Sequence, residues 1–369
     1  MNEATFRSSS MTRIRMRRRY ADYLCCMHWN DVIGQRALVS ALQRSIAQGR
    51  TPQALLLLGD EGTGAMPLSL AFAATVNCLS PKRDDVYIAP CGTCQSCRQM
   101  ATMQHPNVRI IVSLPAGKGD SEDDMKADLV QELRDLWRTL AEDPYTETRV
   151  EGATQIKIGQ IRELKRMLSL SAPQQGRRVV IVHEAHEMTT EASNAFLKTL
   201  EEPHEHVTLI LTSSQPERVL STISSRCQTI TLEPIEDSLL IDALVQRGRC
   251  TPDEASLIAP FANGSLTRAY RFLGEDMQND RETILNLLRA SLRGSGYRLG
   301  IAQLIDSVTD GRNKHRLTLM LSLLQLWIRD AMAVGRTTDA RIANTDQREA
   351  LEKFTAAFPR TDYDAVFGT

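Results

Sequence analysis

The chain has 369 residues with a formal charge of −1 at pH 7, 42% hydrophobic and 24% charged residues. That length suits two or three domains, and the near-neutral balance excludes a global nucleic-acid-binding signature. No apolar run approaches the roughly 18–20 residues of a membrane-spanning helix, and no continuous apolar core follows the N-terminal arginines as a secretory signal requires. Eight cysteines in so long a chain argue against a disulfide scaffold, and their clustering points to a metal.

The first 26 residues stand apart. Arg7, Arg13, Arg15, Arg17, Arg18 and Arg19 occur with no acidic residue between Glu3 and Asp22. Such a stretch reads as a basic arm for an acidic surface, as a transit peptide, or as an over-extended start with Met27 as the initiator. The last is the expectation adopted, with residues 1–27 as an extension.

From Trp29 to about residue 52 the chain is polar and helical, with Val32-Ile33-Gly34-Gln35 and then Leu38, Leu42 and Ile46 at helical spacing. Leu55–Leu58 read as a buried strand, and a helix follows from about Pro67 to Cys78. A Cys-rich loop covers 78–97, and Val108–Val112 is a short strand. Residues 116–151 are charged and of low β-propensity, with Gly117, Gly119 and the acidic cluster Asp120–Asp124. They read as an insertion carrying a helix, Lys126–Leu140. Ile161, Leu164 and Leu168 predict a further helix at 158–170. Strands are expected at Val179–Val182, Val207–Leu211 and Gln228–Leu232, with a helix from Thr190 to Glu201 that Pro203 stops. Alternating strands and helices imply an α/β layer with a mostly parallel sheet. After Pro234 only helical periodicity remains, broken near Gly264 and at Gly294-Ser295-Gly296. In residues 280–369 the apolar positions Ile284, Leu287, Leu288, Leu319, Leu323, Leu324 and Trp327 recur at that period. No internal repeat is visible.

The strand Leu55–Leu58 runs into Gly59-Asp60-Glu61-Gly62-Thr63-Gly64-Ala65-Met66. A working phosphate-binding loop is G-x-x-x-x-G-K-[ST], in which backbone amides cradle phosphate, the Lys reaches the β/γ-phosphates and the hydroxyl holds Mg²⁺. Gly59 and Gly64 keep the glycine spacing. Ala65 replaces the Lys, and Met66 replaces the hydroxyl, so the frame is present without its charge-neutralising parts. After Val179–Val182 comes His183-Glu184-Ala185-His186. An ATPase carries there an Asp for Mg²⁺ and a Glu that activates water; only Glu184 is present, and His183 fills the place of the carboxylate. The pair His183 and His186 reads as a polar turn rather than a metal pair.

Cys91, Cys94 and Cys97 are each separated by two residues, and Cys78 lies thirteen positions before Cys91. Four thiolates surround one Zn²⁺ tetrahedrally, and an all-Cys set describes a closed structural site. A redox role for Cys91 and Cys94 lacks the thioredoxin-like context. Cys25, Cys26 and Cys250 read as incidental. Ser225-Arg226-Cys227 precedes the last strand. In oligomeric ATPases an Arg supplied in trans stabilises the transferring phosphoryl group, and Arg226 is the candidate for such a finger.

Together these residues resemble the bacterial DNA polymerase III clamp-loader family, from about Trp29 to Ala269. The resemblance rests on Trp29-Asn-Asp-Val-Ile-Gly-Gln35, the loop frame, the four cysteines, Ala195-Phe-Leu-Lys-Thr-Leu-Glu-Glu-Pro203 and Ser225-Arg226-Cys227. Gly264-Ser-Leu-Thr-Arg268 is similar to the family's sensor-2 segment, whose Arg faces nucleotide in active members. The resemblance implies an AAA+ α/β domain at 28–234 with an inserted four-cysteine zinc module at 78–97. It implies a small helical lid at 235–275 and an all-α collar at 276–369. Active members carry Lys and Thr at the positions of Ala65 and Met66, so the departures point to the ATP-inert delta-prime branch rather than the gamma/tau motor. On that reading Gly59, Gly62, Gly64, Ala65, Met66, His183, Glu184 and Arg268 form a vestigial nucleotide site. The implied partners are gamma/tau and delta subunits in a five-subunit ring, with the sliding clamp and primer-template DNA reached through the complex, in the bacterial cytoplasm. The competing expectations are an active gamma/tau-like ATPase and a zinc-dependent nucleic-acid-binding module. Only Arg98 stands beside the cysteine loop, without aromatic-basic interleaving.

Overall fold

A computed structural model describes residues 27–116, 125–202, 205–273, 277–291, 314–337 and 342–358. The N-terminal arginines, Asp120–Asp124, Pro203, the break at Gly294-Ser295-Gly296 and the side chain of Leu319 lie outside the described residues.

In chain order the elements are α1 (Arg36–Ala47), β1 (Ala54–Leu58), α2 (Ala65–Asn77), β2 (Lys82–Arg83), β3 (Ile88–Ala89), α3 (Gln95–Ala101), β4 (Val108–Ile111) and β5 (Leu114–Pro115). Then come α4 (Ala127–Glu142), β6 (Ala153–Gln155), α5 (Ile158–Ser169), β7 (Arg178–Val182), α6 (Thr190–Glu201), β8 (Val207–Ser213), α7 (Ser221–Ser224) and β9 (Gln228–Thr231). Among the described residues that follow, the elements are helices: α8 (Asp237–Gln246), α9 (Pro252–Ala262), α10 (Leu266–Phe272), α11 (Met277–Ser291), α12 (Lys314–Arg336) and α13 (Arg348–Ala357), with short 3₁₀ turns.

The chain divides into two compact units. One comprises the described residues up to Gly248 together with Gly264–Arg268; the other comprises Arg249–Asn263 and the described residues from Ala269 onward. The first unit is built on one parallel sheet in the order β4-β7-β8-β1-β9. Its inner strands are apolar runs because helices cover both faces. Leu55 and Leu57 point to one side, among Phe72, Val179 and Ile210; Leu56 points to the other, among Phe196, Val180 and Leu209. Helix α2 is buried along nearly its whole length, which explains why its sequence lacks an amphipathic stripe. By contrast α5 buries Ile161, Leu164 and Leu168 and leaves the opposite face to solvent.

The charged stretch read as an insertion is integrated into this unit. Strands β5 and β6 pair antiparallel, and Val112, Leu114, Leu129, Val150 and Ala153 form a satellite core with Leu133 and Trp137 of α4 beside it. Tyr145 then anchors the segment. Its ring is 1% exposed, its hydroxyl accepts the Ile33 N–H at 2.8 Å, and its carbonyl accepts the Thr267 hydroxyl at 2.6 Å. The Arg247 guanidinium lies 5.1 Å from the ring centroid and pairs with Asp143.

The second unit starts with α9, capped reciprocally by Thr251 and Glu254, a pattern that satisfies two orphan donors at once. Its core gathers Trp327, Ala331, Ile342 and Leu351, with Leu285, Leu288 and Phe354 packed against them. Trp327 and Phe354 meet edge to face at 5.2 Å. Ile284 and Leu323 are buried, as their spacing predicts, while Leu287 and Leu324 are half-buried.

Tyr145→Phe leaves the Ile33 N–H without its acceptor. We expect the urea midpoint to fall by an amount worth about 1–3 kcal/mol; an unchanged midpoint would show that the hydroxyl contributes nothing to holding the segment.

Candidate functional site

Strand β1 is the switch point of the sheet, where strand order reverses, and ligands of open α/β sheets bind beyond the carboxyl ends of the strands there. The loop Gly59–Gly64 leaves β1 at that edge, tied to β8 by Gly59 N–H donating to the Ser213 carbonyl at 3.1 Å. Thr63 turns back on the loop, with both its N–H and hydroxyl on the Asp60 carbonyl. Gln35 braces it from outside, donating to the carbonyls of Thr63 and Glu233.

The loop is closed by its own chain. Ser265 donates its hydroxyl to the Glu61 carbonyl at 2.6 Å, and Leu266 N–H donates to the Gly62 carbonyl at 3.1 Å. Gly62 has φ +83, and a Cβ there would lie 2.6 Å from Ser265 Oγ and from Thr267 N and Oγ1. Only glycine fits a left-handed residue against so close a backbone. Arg268, the sensor-like arginine, lies 3.4 Å from the Asp60 carboxylate. Ala65 and Met66 open α2; Met66 is 5% exposed and packs into the core, so its side chain serves the core rather than the loop.

The second acidic motif is equally tied down. Glu184 has a left-handed backbone, φ 52. Its Oε2 accepts Ser214 N–H at 2.9 Å and Ser214 hydroxyl at 2.8 Å, and lies 3.0 Å from His186 Nδ1. Burial acts upward on its pKa, but His186, the His183 charge and the two Ser214 donors outweigh it and hold the carboxyl at about 2. His183 Nδ1 lies 3.1 Å from the Thr212 hydroxyl. A carboxylate so well solvated by fixed donors is a poor general base.

The four cysteines converge. Their sulfurs all lie within 4.8 Å of one another, with Cys78–Cys94 and Cys91–Cys97 at 3.9 Å and Cys97–Cys78 at 3.7 Å. These separations are far beyond a disulfide bond of about 2.05 Å. They match the roughly 3.8 Å edge of a tetrahedron whose ligands stand about 2.3 Å from a central ion. Cys78 caps the end of α2 and Cys94 caps the start of α3, which swings the buried Cys97 back. The N–H groups of Cys91, Cys94 and Cys97 point at sulfurs at 3.2–3.4 Å. Burial raises Cys78 to about 12. Burial acts upward on Cys91 too, but the Thr93 and Cys94 N–H groups, the Thr93 hydroxyl and the Cys78 thiol bring it to about 6. The cluster can hold a metal ion.

Arg226 follows α7, whose Ile223 is buried beneath it in the core with Phe196 and Leu200. Its side chain is 36% exposed. Nε and Nη2 both donate to Glu201 Oε1, at 3.0 and 2.7 Å, and Nη1 donates to the Thr222 carbonyl at 3.0 Å.

Residues 34–236, just over half of the chain, match the family described as DNA polymerase III, delta subunit. The chain belongs to this family. It is 23% identical over 319 residues to the DNA polymerase III subunit delta' of Bacillus subtilis, covering 86% of this chain and 83% of that one. With the tau subunit of the same organism it shares 25% over 302 residues, spanning 80% of this chain but only 46% of that protein. A gamma subunit-related protein of Thermotoga maritima superposes with a TM-score of 0.36 at 19% identity, over 85% of this chain and 96% of that chain. Among the described residues no helix is long and apolar enough to cross a membrane.

In this clamp-loader chain the sequence motifs sort by place. Gly59, Gly62, Gly64 and Arg268 share one loop cluster, and His183 and Glu184 stand at the neighbouring strand end. The thiols form a separate cluster beyond the far end of α2, and Arg226 lies on the α6–α7 side. Sequence reasoning did not reveal Ser265, Thr267, Asp60 and Tyr145 as the residues that close the loop, nor Ser214 as the donor to Glu184. Common polar residues whose partners stand as far as 208 positions away leave no local signal.

Glu184 also sets a pH dependence. Its folded pKa lies below its unfolded one, so its contribution is present above the unfolded value near 4.5 and is lost as pH falls toward about 2. The difference in urea stability between wild type and Glu184→Gln should shrink steadily as pH falls below about 4.5. A difference that does not change with pH would mean the carboxylate is not held by these donors.

Proposed function

We propose that this chain is an ATP-inert, delta-prime-like subunit of the DNA polymerase III clamp loader. It stabilises the loader ring and donates Arg226 to a neighbouring ATPase subunit while a sliding clamp is loaded during DNA replication. The observation that carries this reading is the closed loop: Ser265, Leu266 and Thr267 fill the approach to Gly62, and no cation or hydroxyl stands at Ala65 or Met66. Nucleotide binding needs a positive charge and a metal ligand at that point, beside the loop amides. Here the Asp60 carboxylate takes the guanidinium that a phosphate would claim. The pinned Glu184 and the missing carboxylate at His183 remove the water-activating and metal-holding groups as well.

In this reading residues 28–234 are the AAA+ module, 235–275 the lid and 276–369 the collar that assembles with gamma/tau and delta subunits in a five-subunit ring. Sliding clamp and primer-template DNA are met through the complex, in the cytoplasm. The likeness to tau subunits favours the second reading, an active motor. Calorimetry separates the two. The isolated chain should bind no Mg-ATP at micromolar concentrations, and micromolar affinity would favour the motor. Arg226→Ala should leave folding and assembly intact and lower ATP turnover by the assembled complex. A finger of this kind is worth about 10³–10⁵ at one site, and the whole-complex loss is smaller because the other sites keep theirs. Turnover at the wild-type rate would make Arg226 an ordinary surface residue.

The thiol cluster is a structural Zn²⁺ site formed by Cys78, Cys91, Cys94 and Cys97. The sulfur spacing, a donor set that is already complete with four thiols among the described residues, and the N–H···S contacts support that choice over a catalytic centre. Metal analysis should find about one zinc per chain, lost in Cys94→Ser with a lower melting temperature. Metal-free protein with freely alkylated thiols and an unchanged melting temperature would exclude zinc.

A further inference from the structure

We infer that Glu201 is the positioning residue for Arg226: it presets the guanidinium, in the free subunit, in the orientation that meets the neighbour's phosphate. This rests on the donated-arginine reading above. Three observations carry it. First, one carboxylate oxygen receives both Nε and Nη2 of Arg226, at 3.0 and 2.7 Å, while Nη1 rests on the Thr222 carbonyl. The long side chain is therefore held at both edges of its planar fork, and its outer face stays open at 36% exposure. Second, the backbone beneath it is tied to the core. Arg226 N–H bonds to the Ile223 carbonyl at 3.1 Å, and Ile223 is buried against the helix that carries Glu201. Third, Glu201 is the last residue of α6, the end at which the helix dipole disfavours a carboxylate. Its side chain is 47% exposed, and an ion pair so open to water adds little to stability. Departures from local rules are expected at functional sites. An unheld arginine samples several staggered rotamers, and each interaction aimed at a transition state depends on preset geometry.

The test is a double-mutant cycle in the loader assembled with its cognate ATPase subunits, measuring DNA-stimulated ATP hydrolysis at varied ATP. Define the Arg226-dependent turnover as the difference between wild type and Arg226→Ala. Glu201→Gln should cut it at least about threefold, the scale of freeing one staggered torsion, with the KM for ATP and the melting temperature unchanged. In the Arg226→Ala background the same change should do nothing more. Glu201→Asp keeps the charge but cannot reach both nitrogens, and should lose as much as Gln.

If Arg226→Ala lowers turnover and Glu201→Gln does not, or raises it, the positioning role is wrong while the donated arginine stands. Equal losses with and without Arg226 would place Glu201 in another contact and overturn the inference. Full activity in Glu201→Asp would reduce it to bulk charge. If Arg226→Ala itself has no effect, the donated-arginine reading fails, and this inference with it.

Discussion

The constraint on which the first unit depends is the burial of β1 between β8 and β9 in a fully parallel sheet. Leu55, Leu56 and Leu57 are each about 1% exposed, so the strand has no freedom of register. Slipping it by one residue would exchange the two apolar faces. Because all five strands run the same way, their carboxyl ends lie on one edge of the sheet. Gly59, Glu184 and Ser214 meet there because the strands before them are held in the core. The site is a consequence of packing before it is a matter of chemistry.

At that edge the chain braces its own loop. The backbone geometry of a phosphate cradle survives in the left-handed Gly62 and the turn at Gly64. Ser265 and Leu266 N–H hold the carbonyls of Glu61 and Gly62, and Arg268 pairs with Asp60. Each of these bonds is modest alone, on the order of 1 kcal/mol, but they act on one short loop. The loop is also pressed by Gln35 and Tyr145, whose own anchors reach back to Glu233 and Ile33. The loop and residues 264–268 are thereby tied together by the chain's own hydrogen bonds.

Helix α2 connects this loop to the thiol cluster. Its N-terminal cap is Gly64 and its C-terminal cap is Cys78, so 13 helical residues, about 20 Å, separate the two features. The helix is buried on every side, which makes it a strut rather than a surface element. A closed metal site at its far end would hold the β2–β3 hairpin and α3, short elements with little apolar core of their own. On the other face of the sheet, α6 carries Phe196 and Leu200 inward and Glu201 outward. The core thus sets where Arg226 stands.

Much of this was legible in the residues themselves. The strands at Leu55–Leu58 and Val179–Val182, the helix at Thr190–Glu201 and the periodicity of Ile161, Leu164 and Leu168 follow from local patterns, because burial on one or both faces imposes a period on the sequence. The glycine frame of the loop, the loss of its Lys and hydroxyl, and the cysteine spacing are likewise readable, since short-range geometry demands fixed residue types at fixed offsets. The tertiary structure alone decided the rest. The helix within residues 125–151 was readable from the spacing of Leu129, Leu133, Leu136 and Leu140, but only the meeting of Tyr145 with Ile33 and Thr267 shows that the stretch belongs to the body of the first unit. Asp60 with Arg268, Glu61 with Ser265, Glu184 with Ser214 and Arg226 with Glu201 are 208, 204, 30 and 25 positions apart. No pattern in a linear chain encodes such pairs, because their partners are chosen by the order in which the sheet brings its strands together.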